Sequence, residues 1–357
     1  MAYKLLYIED QAKESREQDL KNLGFEVDTF NPSSNLEEIL QLIKADTSAL
    51  ILDYRLTQGT KNACFDAPTI AQTLRSKHSQ NTLELPIILM SNEGVITEYY
   101  DDFTSRDLFD FSLTKKQFTD NQKKFYDKVL SFISAYNKIK ECNFDAPTIL
   151  GLQSDEQGMI HSRIIAKLTL AKENVFEHSS FIYENIIRAI GLLVGEEILA
   201  ARLGVSKDSK DWNALLEKLS DAKYTGIFSD IHARWWWDKV NNWWFKVVGE
   251  DISLRRLDAE ERVNILKEKL QLQDLLPATK SENSQSTNFW TICKVSQEPL
   301  DPFDGIEILK RDYLPWQEKE YLSFDSALIN METYSNYISE TDKKALRVLA
   351  KKINSNE

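Results

Sequence analysis

Ala49-Leu50-Ile51-Leu52-Asp53 is an unbroken apolar run that ends on a carboxylate. Such a run suits a strand of a parallel sheet, where both faces are covered and neither meets water. Three other stretches have the same form. Lys4-Leu5-Leu6-Tyr7-Ile8 ends on Glu9-Asp10, Pro86-Ile87-Ile88-Leu89-Met90 ends on Ser91, and the run from Phe109 to Thr114 is followed by Lys115. Phe25 to Phe30 alternates at period two and reads as one more strand. Helical spacing fills the gaps: a polar segment ending near Leu20, Leu23 and Gly24, then Leu36, Ile39, Leu40 and Ile43. A long helix over 117–140 would turn Phe118, Phe125, Val129, Phe132 and Ile133 inward. Alternating strands and helices predict βαβ crossovers and an α/β fold with a doubly wound, five-stranded parallel sheet. Open sheets of this kind hold ligands beyond the carboxyl ends of their strands, which is where these polar groups fall.

Composition narrows the classes. A chain of 357 residues suggests two domains. The net charge of -12, from 44 basic and 56 acidic residues, argues against a nucleic-acid partner, whose phosphates need lysine and arginine. Four histidines and three widely spaced cysteines, Cys64, Cys142 and Cys293, suggest neither a disulfide framework nor a zinc site. No stretch reaches ~20 apolar residues, so no membrane span is expected, and no targeting signal is read at the amino terminus. A cytoplasmic protein is the expectation.

The grouped side chains have a chemical logic. An aspartate is a poor phosphoryl acceptor because acceptor and donor are both anionic. Mg²⁺ relieves that repulsion, keeps several waters and needs few protein carboxylates, so Glu9, Asp10 and Asp53 would suffice. Lys115 would neutralise phosphoryl oxygens as a point charge, and the Ser91 hydroxyl would donate to one of them.

On these residues, 1–140 resembles the receiver domain of two-component response regulators, a flavodoxin-like fold. Asp53 matches the phosphoacceptor, Glu9 and Asp10 the acidic metal-binding pair, Ser91 the hydroxyl that senses the phosphoryl group, and Lys115 the family's lysine. Leu52-Asp53-Tyr54-Arg55-Leu56 is itself a receiver-like string. The resemblance implies a histidine kinase as phosphoryl donor and Mg²⁺ as cofactor. There are departures. Lys116 stands where the family has proline, Ser112 where it has an aromatic, and the segment Thr57 to Asp66 is longer than usual. These mark an atypical receiver.

Beyond it, 141–158, with Pro147, Gly151 and Gly158, reads as a linker, and 159–357 as a mainly helical domain. Amphipathic segments are expected from Ile164 to Leu170, Phe181 to Leu203, Trp212 to Leu219 and Leu254 to Leu276, with β-like residues from Phe289 to Cys293 and a terminal helix near 332–353. Five of the eight tryptophans fall in Trp235-Trp236-Trp237 and Trp243-Trp244. On one helix Trp236, Trp243 and Trp244 would share a face, either as core or as an interaction anchor. Ile198 to Ser206 imitates a helix-turn-helix, but the following segment has no basic face, and a glycine-terminated helix is the simpler account. His161 and His178 read as helix-surface residues rather than phosphotransfer histidines. Asp301, Asp304 and Glu307 read as a turn rather than a cation site. Phe-Asp-Ala-Pro-Thr-Ile occurs at both 65–70 and 144–149 in unlike flanks. No Walker loop, GxGxxG, GxSxG or HExxH motif is present, and no enzyme is expected.

Two outputs follow. In one, the chain is a phosphate sink that competes with a second receiver-bearing protein; in build it is similar to accessory receivers of bacterial two-component systems, including the Detocs type assigned to antiviral (phage) defence. In the other, phosphorylation unmasks an interaction or effector surface in the helical domain.

Overall fold

A computed structural model describes residues 2–10, 14–32, 35–57, 65–76, 84–92, 108–249, 252–309 and 313–355. It contains two compact units. One comprises Met1–Gln157, Ser162–Tyr183 and Gly226–Ile231; the other comprises Gly158–His161, Glu184–Thr225 and His232–Glu357.

In the first unit β1 (Lys4–Ile8), β2 (Glu26–Phe30), β3 (Thr47–Leu52), β4 (Ile87–Ser91) and β5 (Phe111–Thr114) form one sheet in the order β2-β1-β3-β4-β5. All four pairings are parallel. This is the flavodoxin-like doubly wound order, with its switch point between β1 and β3. Leu50, Ile51, Leu52, Ile88, Leu89 and Met90 are wholly buried, as strands covered on both faces require. Each large apolar side chain so buried contributes about 1.5–3 kcal/mol.

Helices α1 (Glu14–Asn22), α2 (Leu36–Leu42) and α3 (Ala67–Ser76) flank the strands. Gly24, at φ +100°, takes the left-handed conformation that lets the chain leave α1 and enter β2. The helix expected over 117–140 is in fact two, α4 (Lys115–Asp120) and α5 (Gln122–Glu141), broken at Asn121. Phe118, Phe125, Val129, Phe132 and Ile133 are all buried, as the spacing predicted.

The sheet-bearing unit does not end at residue 140. Helix α8 (Val175–Ile182), reached through α6 (Ala146–Ile149) and α7 (Ser162–Ala171), packs on α5. Phe132 meets Tyr183 and Phe228 at ring distances of 5.0 and 4.8 Å, and the Ser131 hydroxyl donates to Asp230 at 2.6 Å. The residues read as a linker, 141–158, thus include a helix and belong largely to this unit. Both copies of Phe-Asp-Ala-Pro-Thr-Ile open a helix, α3 and α6, where proline is well placed in the first turn.

The second unit is mainly helical, with β6 (Leu193–Val194), α9 (Glu196–Leu203), α10 (Trp212–Lys218), β7 (Trp235–Trp236), α11 (Trp237–Val248) and α12 (Ala259–Leu270) around one core. The chain continues through β8 (Thr291–Ile292), β9 (Pro299–Leu300), β10 (Ile306–Glu307), β11 (Tyr321–Leu322), α13 (Phe324–Ile329), α14 (Met331–Tyr334) and α15 (Glu340–Ser355). Phe181 to Leu203 is not one helix, because a π-turn at Tyr183–Ile187 and strand β6 interrupt it. The tryptophans do not share one helix either. Trp235 and Trp236 pair with Val194 and Leu193 in an antiparallel ladder, and the helix begins only at Trp237. Trp235, Trp236 and Trp244 are buried, so the core account holds for these three. Helix α9 ends at Gly204, φ +72°, in keeping with a glycine-terminated helix. His178 is buried rather than on the surface; its Nδ1 donates to the Asn174 carbonyl at 2.9 Å, and burial lowers its pKa. Asp301 accepts from the Phe303 amide two residues on, as a turn residue does, whereas Asp304 accepts from the Ser286 amide 18 residues earlier. Among the described residues no helix is long and apolar enough to cross a membrane. Cys64 lies outside the described residues, and Cys142 and Cys293 are free thiols.

Candidate functional site

The strand order decides which groups meet. β3 lies between β1 and β4, so Asp53, just past β3, has Glu9 and Asp10 on one side and Ser91 on the other. The register aligns these ends: Ile8 faces Leu52, and Ser91 faces Thr114. Lys115 opens α4 beyond β5 and reaches across β4 to Asp53.

All five residues singled out in the sequence converge, and all are buried. The Ser91 hydroxyl donates to Asp53 Oδ1 at 2.5 Å, and the Tyr54 amide donates to the same oxygen at 2.7 Å. Lys115 Nζ lies 2.6 Å from Asp53 Oδ2 and 2.7 Å from Glu9 Oε2. Glu9, Asp10 and Asp53 each offer an oxygen within 4.8 Å of the others. Burial, and then the neighbouring Glu9, push the Asp53 carboxyl up to about 6. Burial would raise Glu9 as well, but its hydrogen bonds with Asp53, Lys115 and Tyr7 hold it below the ordinary value. Two carboxylates this close resist ionising together.

The residues fit a divalent cation. Three buried carboxylates face one lysine, with Arg16 3.8 Å from Glu9, and Glu9 Oε1 is buried with no hydrogen-bond partner among the described residues. A hard cation with oxygen ligands would satisfy that atom and lower the repulsion.

Three contributors were not read from the sequence. Tyr7 donates its hydroxyl to Glu9 Oε2 at 2.8 Å; two residues apart on one strand, they share a face, and that period-two relation was the available signal. Arg16 had no comparable signal. Thr114-Lys115-Lys116-Gln117 forms a capping box that fixes Lys115 in the first turn of α4. The Lys115–Lys116 peptide is trans. Of the long segment after Asp53, residues 58–64 lie outside the described residues. Its two ends are tied where Asp66 accepts from the Leu56 amide at 2.9 Å.

No protein-family model and no curated protein matches the chain. Solved structures do. A CheY-like response regulator receiver domain from Methylobacillus flagellatus is 18% identical, with a TM-score of 0.28, over 36% of this chain and 99% of that one. The response regulator TrrA from Thermotoga maritima, solved with Mg²⁺-BeF, is 22% identical, with a TM-score of 0.28, over 36% of this chain and 99% of that one. NtrX from Brucella abortus is 17% identical, with a TM-score of 0.32, over 40% of this chain and 30% of that one. The receiver-like fold rests on the sheet order itself.

Proposed function

We propose that the chain is a receiver-type phosphoacceptor, phosphorylated on Asp53 by a histidine kinase, and that taking up the phosphoryl group is itself its main output. It would act as a phosphate sink for a partner receiver, in an accessory role of the kind found in phage-defence two-component systems. One observation carries the phosphoacceptor reading: Ser91 and Lys115 hold the two different oxygens of a buried aspartate at the strand ends.

The chemistry follows from these contacts. An Asp53 oxygen attacks the phosphorus of a phosphohistidine; a P–O bond forms, the P–N bond breaks, and the imidazole nitrogen leaves with the electron pair and takes up a proton. Lys115 moves from bridging Glu9 and Asp53 to balancing the charge of the phosphoryl oxygens. Ser91 donates to a phosphoryl oxygen instead of to the carboxylate. Mg²⁺ held by Glu9, Asp10 and Asp53 would supply the electrostatic relief that lets two anions meet. Ser112 in place of an aromatic supports the sink, since the side chain that would relay the change in this family is missing.

A second reading is favoured by a run of ring contacts in this unit. Phe118 meets Phe125 at 5.0 Å, Phe111 meets Phe125 at 6.3 Å and Phe132 at 5.2 Å, and Phe132 continues to Tyr183 and Phe228. A shift of Lys115 at the start of α4 would be felt along that run, giving a conformational output.

Radiolabelled phosphoryl transfer from the kinase to the full chain tests both. The acceptor reading expects label on the wild type and none on Asp53→Asn. The sink reading expects the wild type, and not Asp53→Asn, to lower labelling of the competing receiver. Equal competition by both would sink it.

A further inference from the structure

The second unit has a cavity of about 170 Å³ lined by Trp236, Trp237 and Trp316, with Asp238, Glu318 and Gly191 completing its wall. It lies below the ~300–1,000 Å³ of pockets that hold whole drug-sized ligands, so it suits a head group. The walls are tied together by backbone bonds. The Glu318 amide donates to the Ile190 carbonyl at 2.8 Å, and the Trp237 amide to the Leu192 carbonyl at 2.9 Å. Gly191 allows the close approach, since a Cβ there would lie 1.9 Å from the Trp316 carbonyl oxygen. The Trp316 indole is held by its Nε1, which donates to the Asn185 carbonyl at 3.0 Å.

The charges on this wall have one sign. Among the described residues that line the cavity there is no lysine or arginine. Glu318 already pairs with buried Arg202 at 2.7 Å, whereas exposed Asp238 makes no hydrogen bond or ion pair among the described residues. The fold also shows what these indoles hold well. The Arg202 guanidinium sits 4.4 Å from the Trp237 ring centroid and 4.9 Å from that of Trp290, so Trp237 and Glu318 serve both an internal guanidinium and the cavity wall. Aromatic rings with a nearby carboxylate attract weakly hydrated organic cations through the ring quadrupole.

We infer that this cavity binds a small organic cation, a quaternary ammonium or guanidinium head group. The test is tryptophan fluorescence of the full chain, titrated at constant ionic strength with tetramethylammonium chloride and with its neutral analogue 3,3-dimethyl-1-butanol. Peptides carrying trimethyllysine or arginine form further arms. The cation should give a saturable change, with the neutral analogue about tenfold weaker or more. Asp238→Asn, at an exposed position, should weaken binding about fivefold with the melting curve unchanged, and Trp316→Leu should abolish it. A peptide that binds far more tightly than tetramethylammonium would place the cation on a protein partner; equal affinity would mean a free head group. No saturable change with any cation, equal binding of the neutral analogue, or an unaltered affinity in Asp238→Asn would overturn the inference.

Discussion

Asp53 is held by three donors, Ser91, Lys115 and the Tyr54 amide, and is buried beside the Glu9 carboxylate, and this sets its behaviour with pH. Its folded-state pKa, about 6, lies above the ordinary 3.8. A carboxyl with a raised folded pKa favours the folded state while protonated, so this contribution is lost as pH rises from about 4 through 6. Asp53→Asn should therefore stabilise the chain at pH 7 by roughly 2 kcal/mol and change little at pH 4, as urea melts at the two values would show. Mg²⁺ acts in the opposite sense for the wild type. Binding only to the ionised cluster, it should raise the thermal midpoint at pH 7, and this increment should shrink sharply in Glu9→Gln and Asp10→Asn. Lys115→Ala leaves Glu9 and Asp53 facing each other without their shared cation. Breaking a buried pair in this way costs about 3–5 kcal/mol, which denaturant titration at pH 7 would detect.

Elements place these residues, and their ends are where single changes matter most. Helix α9 stops at Gly204, where a Cβ would lie 2.8 Å from the Ala259 Cα and 3.0 Å from its carbonyl oxygen. Both neighbours are backbone atoms and φ is positive, so Gly204→Ala should lower unfolding free energy by about 2 kcal/mol or more. The same helix end is served by a buried cation. Arg262 Nη1 donates to the Arg202 carbonyl at 3.1 Å and to the Phe289 carbonyl at 2.8 Å, while its Nε donates to the Leu254 carbonyl at 3.0 Å. Desolvation pulls the Arg262 pKa down to about 10, and helix-end carbonyls compensate part of that cost. At the opposite end of the sheet from Asp53, Asp110 accepts from Arg75 at 2.8 Å, from Tyr136 at 2.8 Å and from the Ile87 amide at 2.7 Å. That buried network fastens α3 and α5 to β4 and β5, and it keeps the strand ends that carry Ser91 and Lys115 in register.

At the scale of the whole chain, the sheet-bearing unit draws on segments far apart in sequence. Cutting after residue 140 would strip Tyr183 and Phe228 from Phe132 and remove the partner of Ser131. The fragment 1–140 should therefore show a lower urea midpoint than the same unit in the full chain, with more exposed apolar surface by dye binding. The five strands, their parallel sense and the five polar residues gathered at the strand ends were all legible from local sequence. The central strands β1, β3 and β4 are nearly continuous apolar runs, the edge strand β2 alternates, and a βαβ chain must place the ends of its parallel strands at one edge. Pairwise placement was less legible. That Asp110 gathers Arg75 and Tyr136, and that His178 packs on Phe144, depend on contacts across tens of residues, whereas Tyr7 and Arg16 reach Glu9 from nearby in sequence. The tryptophan run shows the limit. Helical periodicity alone assigns Trp236 to a helix, but pairing with Val194 and Leu193 extends Trp235 and Trp236 into a strand and delays the helix to Trp237. Residue order specified the strands and delivered the chemical groups to their ends, because both follow from local hydrophobicity. Which face of the helical region is core, where the first unit ends, and that three indoles share a cavity with a carboxylate were settled by tertiary packing, because non-local pairing outweighs local propensity there.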